Sequence, residues 1–411
     1  MLFLSKGSDI AAWRAASDFN SGYRDTLLAR TASCRSDEAA RLLEQAGEQL
    51  RQLADDHGRC CAEVAKVVGE MATTGSVAVV SRLSRDGFSL AYEHFGLFRS
   101  PLAFYRLSSE LLEGACAALM NLAERQMGLL GRILPPGRCL IALGPAGRRE
   151  YSPYCPLQLL MIHDTDHHGT SDAMAQFCRL LHESLQLCGF ELDGEVTPLN
   201  AAWRGDAAEW RHRMLHCLEG GAAEDLIEVS RLCDQAPLAP ADSDAAARFH
   251  ALSLGLLRDE HAVVANLAER LQGLSNGLGL MGRIRTEKEG WGGRTCFGLR
   301  EHGLIPLSAT VSTVTLATGG WGIDTPRRIR ELLDRRVLDV EMTERVLAAW
   351  TMLNELRLSH ERDLFSGEEG SAHHIPVDRL DAAQQEELRG SLETVGIFQR
   401  QALTAIALAG E

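Results

Sequence analysis

The stretch Leu143-Gly144-Pro145-Ala146-Gly147-Arg148-Arg149-Glu150-Tyr151-Ser152-Pro153-Tyr154-Cys155-Pro156-Leu157-Gln158-Leu159-Leu160-Met161-Ile162 decides the reading of this chain. It joins two short apolar runs, CLIALG at 139–144 and LQLLMI at 157–162, each of which predicts a buried β-strand. Between them, two glycines three residues apart lead into Arg-Arg-Glu. On physical grounds this is a tight turn that brings backbone N–H groups and the guanidiniums of Arg148 and Arg149 to an anion. The competing use is structural: a turn whose arginines pair with Glu150 and its neighbours.

Outward from this stretch the texture is helical. Upstream, DEAARLLEQAGEQLRQLADDHGRCCAEVAKVVGEMA repeats its apolar positions every three and four residues, with Ser36-Asp37 as a candidate N-cap. A second helical run from Ser100 stops at Pro135-Pro136-Gly137. Downstream, a helix is expected over 171–188 and a hairpin over 190–199 with Asp193-Gly194 at its turn. From about 206 to 408 the pattern is again almost wholly helical, broken near Gly290–Gly293, Gly319–Gly322 and Gly367–Ser371. The expected organisation is an N-terminal helical region (1–135), a small α/β unit (136–240) and a C-terminal helical domain (241–411).

Composition narrows the function. The chain has 411 residues, 45% apolar and 24% charged, enough for two or three domains with cores of their own. Its formal charge of −14 argues against a nucleic-acid partner, which calls for a basic surface. The 11 cysteines are odd in number, dispersed and without a CxxC pair, which fits reduced thiols in a cytoplasmic protein. No uninterrupted apolar window approaches the ~18 residues of a membrane span. The cluster His163-Asp164-Thr165-Asp166-His167-His168 has metal-ligating residue types, with His163, Asp164, Asp166 and His167 as weak candidates; a solvated strand-to-helix loop is the competing use.

The decisive stretch resembles the core of the nucleotidyltransferase superfamily, in the branch of protein-PII uridylyltransferase and its bacterial relatives. That branch carries Gly-Ser-x-Gly-Arg-x-Glu, a short link, and Asp-x-Asp running into an apolar strand. Here Gly144, Gly147, Arg148 and Glu150 match, as do the Ser152-Pro153-Tyr154 link and the Leu159–Ile162 strand. The resemblance continues in Val196, Asn200 and Trp203, in Glu209-Trp210-Arg211, and in Leu232-Cys233-Asp234. In the C-terminal half it continues in Phe297-Gly298-Leu299, Thr325-Pro326-x-Arg328-Ile329, Asn354-Glu355-Leu356-Arg357-Leu358 and His374-Ile375-Pro376. It implies a predominantly helical α+β fold, with a small nucleotidyltransferase-like mixed sheet flanked by N- and C-terminal helical domains.

The departures fall on the functional atoms. The resemblance implies two Mg²⁺ ions held by the Asp-x-Asp pair and a third carboxylate. The pair aligns with Pro156 and Gln158, the usual serine aligns with Pro145, and Asp234 is the third-carboxylate candidate. Asp164 and Asp166 lie about six residues along the strand, ~20 Å of extended chain, from the missing pair. The expectation is therefore a catalytically degenerate, regulatory protein, binding a nucleotide or other phosphate-bearing ligand through Gly144, Gly147, Arg148 and Arg149 and needing no cofactor. Two alternatives stand beside it. One is an active Mg²⁺-dependent enzyme modifying a protein through an unorthodox metal site, for which a carboxylate near Gln158 would speak. The other is a scaffold that engages a protein partner through its helices.

Overall fold

The fold is described from a computed structural model covering residues 36–164, 170–220, 222–240, 243–259, 261–279, 282–289, 294–320 and 322–409. Three helices come first: α1 (Ser36–Thr73), α2 (Val77–Phe98) and α3 (Pro101–Leu129). α3 starts where Ser100 accepts the Ala103 N–H and Pro101 presets the first turn.

Next come β1 (Cys139–Leu143) and β2 (Gln158–His163), within one residue of the strands expected from sequence. They pair antiparallel, with Leu143 opposite Gln158 and Cys139 opposite Ile162. Helix α4 (Thr170–Leu187) follows, then β3 (Arg204–Asp206), parallel to β2. Helices α5 (Ala207–Gly220) and α6 (Ala223–Ser230) lead to β4 (Gln235–Ala239), antiparallel to β1. The sheet order is β3-β2-β1-β4, mixed as expected.

Both faces of this sheet are covered, so its period-2 alternation is apolar on both sides. Leu140, Ala142, Leu159 and Met161 face a large core shared with α1–α4 and the C-terminal helices. Ile141, Leu143, Leu160 and Ile162 face a second cluster with Trp203, Trp210, Met214 and Phe249. Each buried Leu or Ile contributes roughly 1.5–3 kcal/mol of transfer free energy.

Beyond the sheet lie α7 (Asp244–Asp259), α8 (His261–Gly273), α9 (Ile305–Ala317), α10 (Thr325–Asp334), α11 (Val340–Phe365) and α12 (Ala382–Ala409). Asp324 and Asp339 cap α10 and α11, accepting from the Arg327 and Met342 N–H groups.

Three expectations are corrected. Residues 190–199 form no hairpin: Leu192 makes a single parallel bridge to Leu157, and Asp193 Oδ1 accepts the N–H groups of Glu195 and Val196. Neither Asp193 nor Gly194 has the positive φ that a type I′ turn requires. The region after 206 also contains strands. β4 is one, and the other three form a separate sheet of β5 (Glu287–Glu289), β6 (Arg294–Gly298) and β7 (His374–Pro376). The loop expected over 144–150 opens with a helical turn at Gly144–Gly147. Among the described residues, no helix is long and apolar enough to cross a membrane.

Candidate functional site

The turn after β1 sits at the rim of the sheet. Gly144 has φ +60°, and a Cβ there would come within 2.9 Å of Gln158 Oε1. Gly147 is required by a closer approach: its Cβ would lie 2.0 Å from the Asp234 carbonyl oxygen at the entry to β4. The two glycines thus let the turn nest against β2 and β4. The N–H groups of Arg148, Arg149 and Glu150 are bonded to the carbonyls of Gly144, Ala146 and Pro145. Arg149 turns to the far side with φ +59° and pairs with Glu113 at 3.1 Å. The structure therefore separates the two arginines that the sequence offered together.

A cavity of about 320 Å³ opens between this rim and the C-terminal helices. It is lined by Gly144, Arg148 and Gln158 from the sheet unit, by Arg231 and Asp234, and by side chains of α8, α9 and α11. Five arginines line it (Arg148, Arg231, Arg270, Arg300 and Arg357) against two carboxylates, Glu150 and Asp234, although the chain carries −14 overall.

Asp234 follows a short 3₁₀ turn, Arg231–Cys233, and both its oxygens are committed. Oδ2 accepts from Arg148 Nη1 at 2.6 Å; Oδ1 accepts from Ser312 Oγ at 2.8 Å and from Arg328 Nη1. Arg328, 5% exposed, also donates to the carbonyls of Gly322 and Cys233. Burial pushes the Asp234 carboxyl up, but Arg148 and Arg328 outweigh it and hold the group below the usual carboxylate range. Arg148 is shared with Glu150, whose other oxygen accepts from Trp350 Nε1.

Gln158 Nε2 donates to Asp193 Oδ2 at 2.9 Å, so a carboxylate does stand beside one of the two aligned aspartate positions. Burial opposes the ionisation of Asp193. The Val196 N–H, the Gln158 amide, the Glu195 N–H and the charge of Arg231 nevertheless bring its carboxyl below the ordinary range. Pro156, at the other aligned position, has no side-chain donor atom for a cation.

The Mg²⁺ pair implied by the fold does not fit these donors. Magnesium needs several anionic or strongly polar oxygens in octahedral array. Here Asp234 is saturated by two guanidiniums and Asp193 by two backbone N–H groups and an amide. His163 Nδ1 and the Asp164 carboxylate are engaged separately, with the Asp164 carbonyl and with Arg248; Asp166 and His167 lie outside the described residues. Among the described residues, no group of three or more His, Cys, Asp or Glu is placed to hold a metal.

Sequence reading assigned no role to a second buried cluster that fixes the motif to α11. Arg357 Nη2 donates to Ser152 Oγ at 2.7 Å, and its Nε donates to Glu361 Oε1, which also accepts from Ser152. Tyr105 OH donates to Asn354, and Tyr92 OH to Glu361. The signal was present: Trp350, Asn354, Arg357 and Glu361, spaced four, three and four, put a polar stripe on a helix whose neighbours Leu353, Leu356 and Leu358 are buried. Arg328 gave a fainter one, a charge beside buried Ile329 and Leu332.

Comparison with known families places both halves of this arrangement. Residues 89–224 match the family described as "Putative nucleotidyltransferase DUF294", and residues 261–406 match "Putative nucleotidyltransferase substrate binding domain". Asp234 and β4 fall between the two matched segments. No curated protein matches the chain. Two models, each spanning about a third of the chain, thus match the rim of the sheet and the helices that close its cavity, and together they point to the nucleotidyltransferase-like family that their descriptions name.

Proposed function

We propose that this protein is a catalytically degenerate member of its family, one that binds a nucleotide or other phosphate-bearing anion in the rim cavity and acts as a regulatory module. The observation that carries the reading is the state of Asp234: both its oxygens are held by Arg148, Arg328 and Ser312. At the two aligned positions Pro156 and Gln158 bring no charge. A transition state that spreads negative charge over a transferring phosphoryl group draws several kcal/mol from its metal ions, and this donor set offers them no cradle. The excess of arginine over carboxylate in the cavity supports anion binding without a cation.

Asp193 favours a second reading, a Mg²⁺-dependent transferase with a relocated carboxylate, because it touches Gln158. One experiment separates the two. Incubation with radiolabelled ATP or UTP is expected to transfer no label to protein or small-molecule acceptors, with or without Mg²⁺. Metal-dependent labelling that disappears in Asp193→Asn would replace the first reading by the second.

A further inference from the structure

The arginines of the rim cavity fall into two groups. Arg148, 11% exposed, and the buried Arg357 are already spent, the first on Asp234 and Glu150, the second on Glu361 and Ser152. Arg231, which follows α6, and Arg270, in the last turn of α8, line the same cavity. Among the described residues neither makes a salt bridge or a side-chain hydrogen bond, and Asp193 is the carboxylate that feels the charge of Arg231. Arg300 is exposed at the mouth, with Glu301 at 3.9 Å, the limit of an ion pair. His373 lines the cavity beside it; burial first, and then the Arg300 charge, keep this imidazole below its usual value. Between these cations the wall is apolar, with Leu267, Leu299, Leu304 and Ile305.

From this division we infer that the phosphates of the bound ligand are held by Arg231, at the end of α6, and by Arg270 and Arg300 from the C-terminal side, and not by the glycine turn and Arg148. The inference rests on the reading of the cavity as a site for a phosphate-bearing anion and adds which wall receives the charge. Arg148 can offer a phosphate little, because drawing its guanidinium away would strand the buried Glu150 and weaken the hold on the half-buried Asp234. Arg270 has no such competitor and Arg231 has only Asp193, with which it forms no ion pair, so both keep full donor forks. The ligand class is a nucleoside polyphosphate or a similar molecule, with a multiply charged end for the arginines and an apolar body for the leucine wall. A cavity of about 320 Å³ is at the lower end of what such ligands occupy.

The test is calorimetric titration of the full chain with ATP in EDTA, comparing wild type with Arg231→Gln, Arg270→Gln and Arg300→Gln. Each change is expected to weaken binding by about tenfold, the loss of one charge-assisted contact. Arg270 and Arg300 are exposed, so their variants should melt as wild type does, which keeps the result interpretable if Arg231→Gln folds poorly. Added Mg²⁺ should weaken binding by neutralising the polyphosphate. If wild type binds ATP and all three variants bind it equally well, the inference fails while the anion-binding reading stands. If wild type binds no ATP at millimolar concentration, both fail.

Discussion

At the scale of single residues, the question is what keeps Asp234 ionised in a place with little water. Two guanidiniums and a hydroxyl do so, and the lowered pKa of its carboxyl expresses that stabilisation. The sign follows: because the folded value lies below the unfolded one of about 3.9, the stabilisation is present at neutral pH and is lost as pH falls through the folded value. Asp234→Asn leaves Arg148 and Arg328 without their shared anion, and it should cost about 3–5 kcal/mol at pH 7. Urea denaturation of both proteins should show that gap shrinking as pH falls below about 3.9, where the unfolded chain takes up the proton first, and closing once pH passes the lower folded value. A gap that stays constant from pH 7 to pH 3 would mean that the carboxylate charge contributes nothing. Here the sequence was half legible. It offered Asp234 as a surviving carboxylate and Arg148 with Glu150 as an ion pair, but Arg328 and Ser312 reach this point from 94 and 78 residues away. Separation of that order leaves no local pattern.

At the scale of elements, α11 fastens the motif loop to the C-terminal helices. Ser152 and Cys155 lie against Arg357, and Glu361, 1% exposed, takes hydrogen bonds from Ser152, Arg357 and Tyr92. Arg357→Met should destabilise the protein by about 3–5 kcal/mol, because Glu361 is left buried and uncompensated. The double variant Arg357→Met/Glu361→Leu should recover part of that loss, since a buried pair replaced by apolar groups of similar volume approaches neutrality. Chemical denaturation of the two single variants and the double closes the cycle; strict additivity would mean that the two side chains do not interact. The strands β1 and β2 and the main helices were readable because periodicity marks them. β4 was not: QAPLA is five residues long with Pro237 inside it, and only pairing with β1 at the sheet edge makes it a strand. The same holds for β5, β6 and β7, where β6 lies some 80 residues from β7.

At the scale of the whole molecule, one apolar core runs from Val64 in α1 to Ile406 in α12 and includes one face of the sheet, while the second cluster covers the other face. The N- and C-terminal helices therefore share their burial with the sheet and with each other. Loss of either arm would expose apolar surface worth roughly 25 cal/mol per Å². Unfolding in urea should accordingly follow one midpoint whether read by far-ultraviolet dichroism or by tryptophan fluorescence, to which Trp350 of the first core and Trp203 and Trp210 of the second cluster contribute. Two separated midpoints would mean that the sheet unit holds its structure without the helical arms.

The sequence by itself determined the helical texture, the two central strands and the glycine turn between them, because propensity, period and turn chemistry act over a few residues. The family too was legible from the motif and its spaced echoes downstream, as was the absence of charge at Pro156 and Gln158. Only the tertiary structure decided which arginines are spent and which remain available, that Arg149 turns to Glu113, and that Asp193 meets Gln158. Those outcomes are set by which distant side chains the fold brings within reach of each charge. Desolvation forces every buried charge to find a partner, and the chain's path through space alone determines which partner it finds.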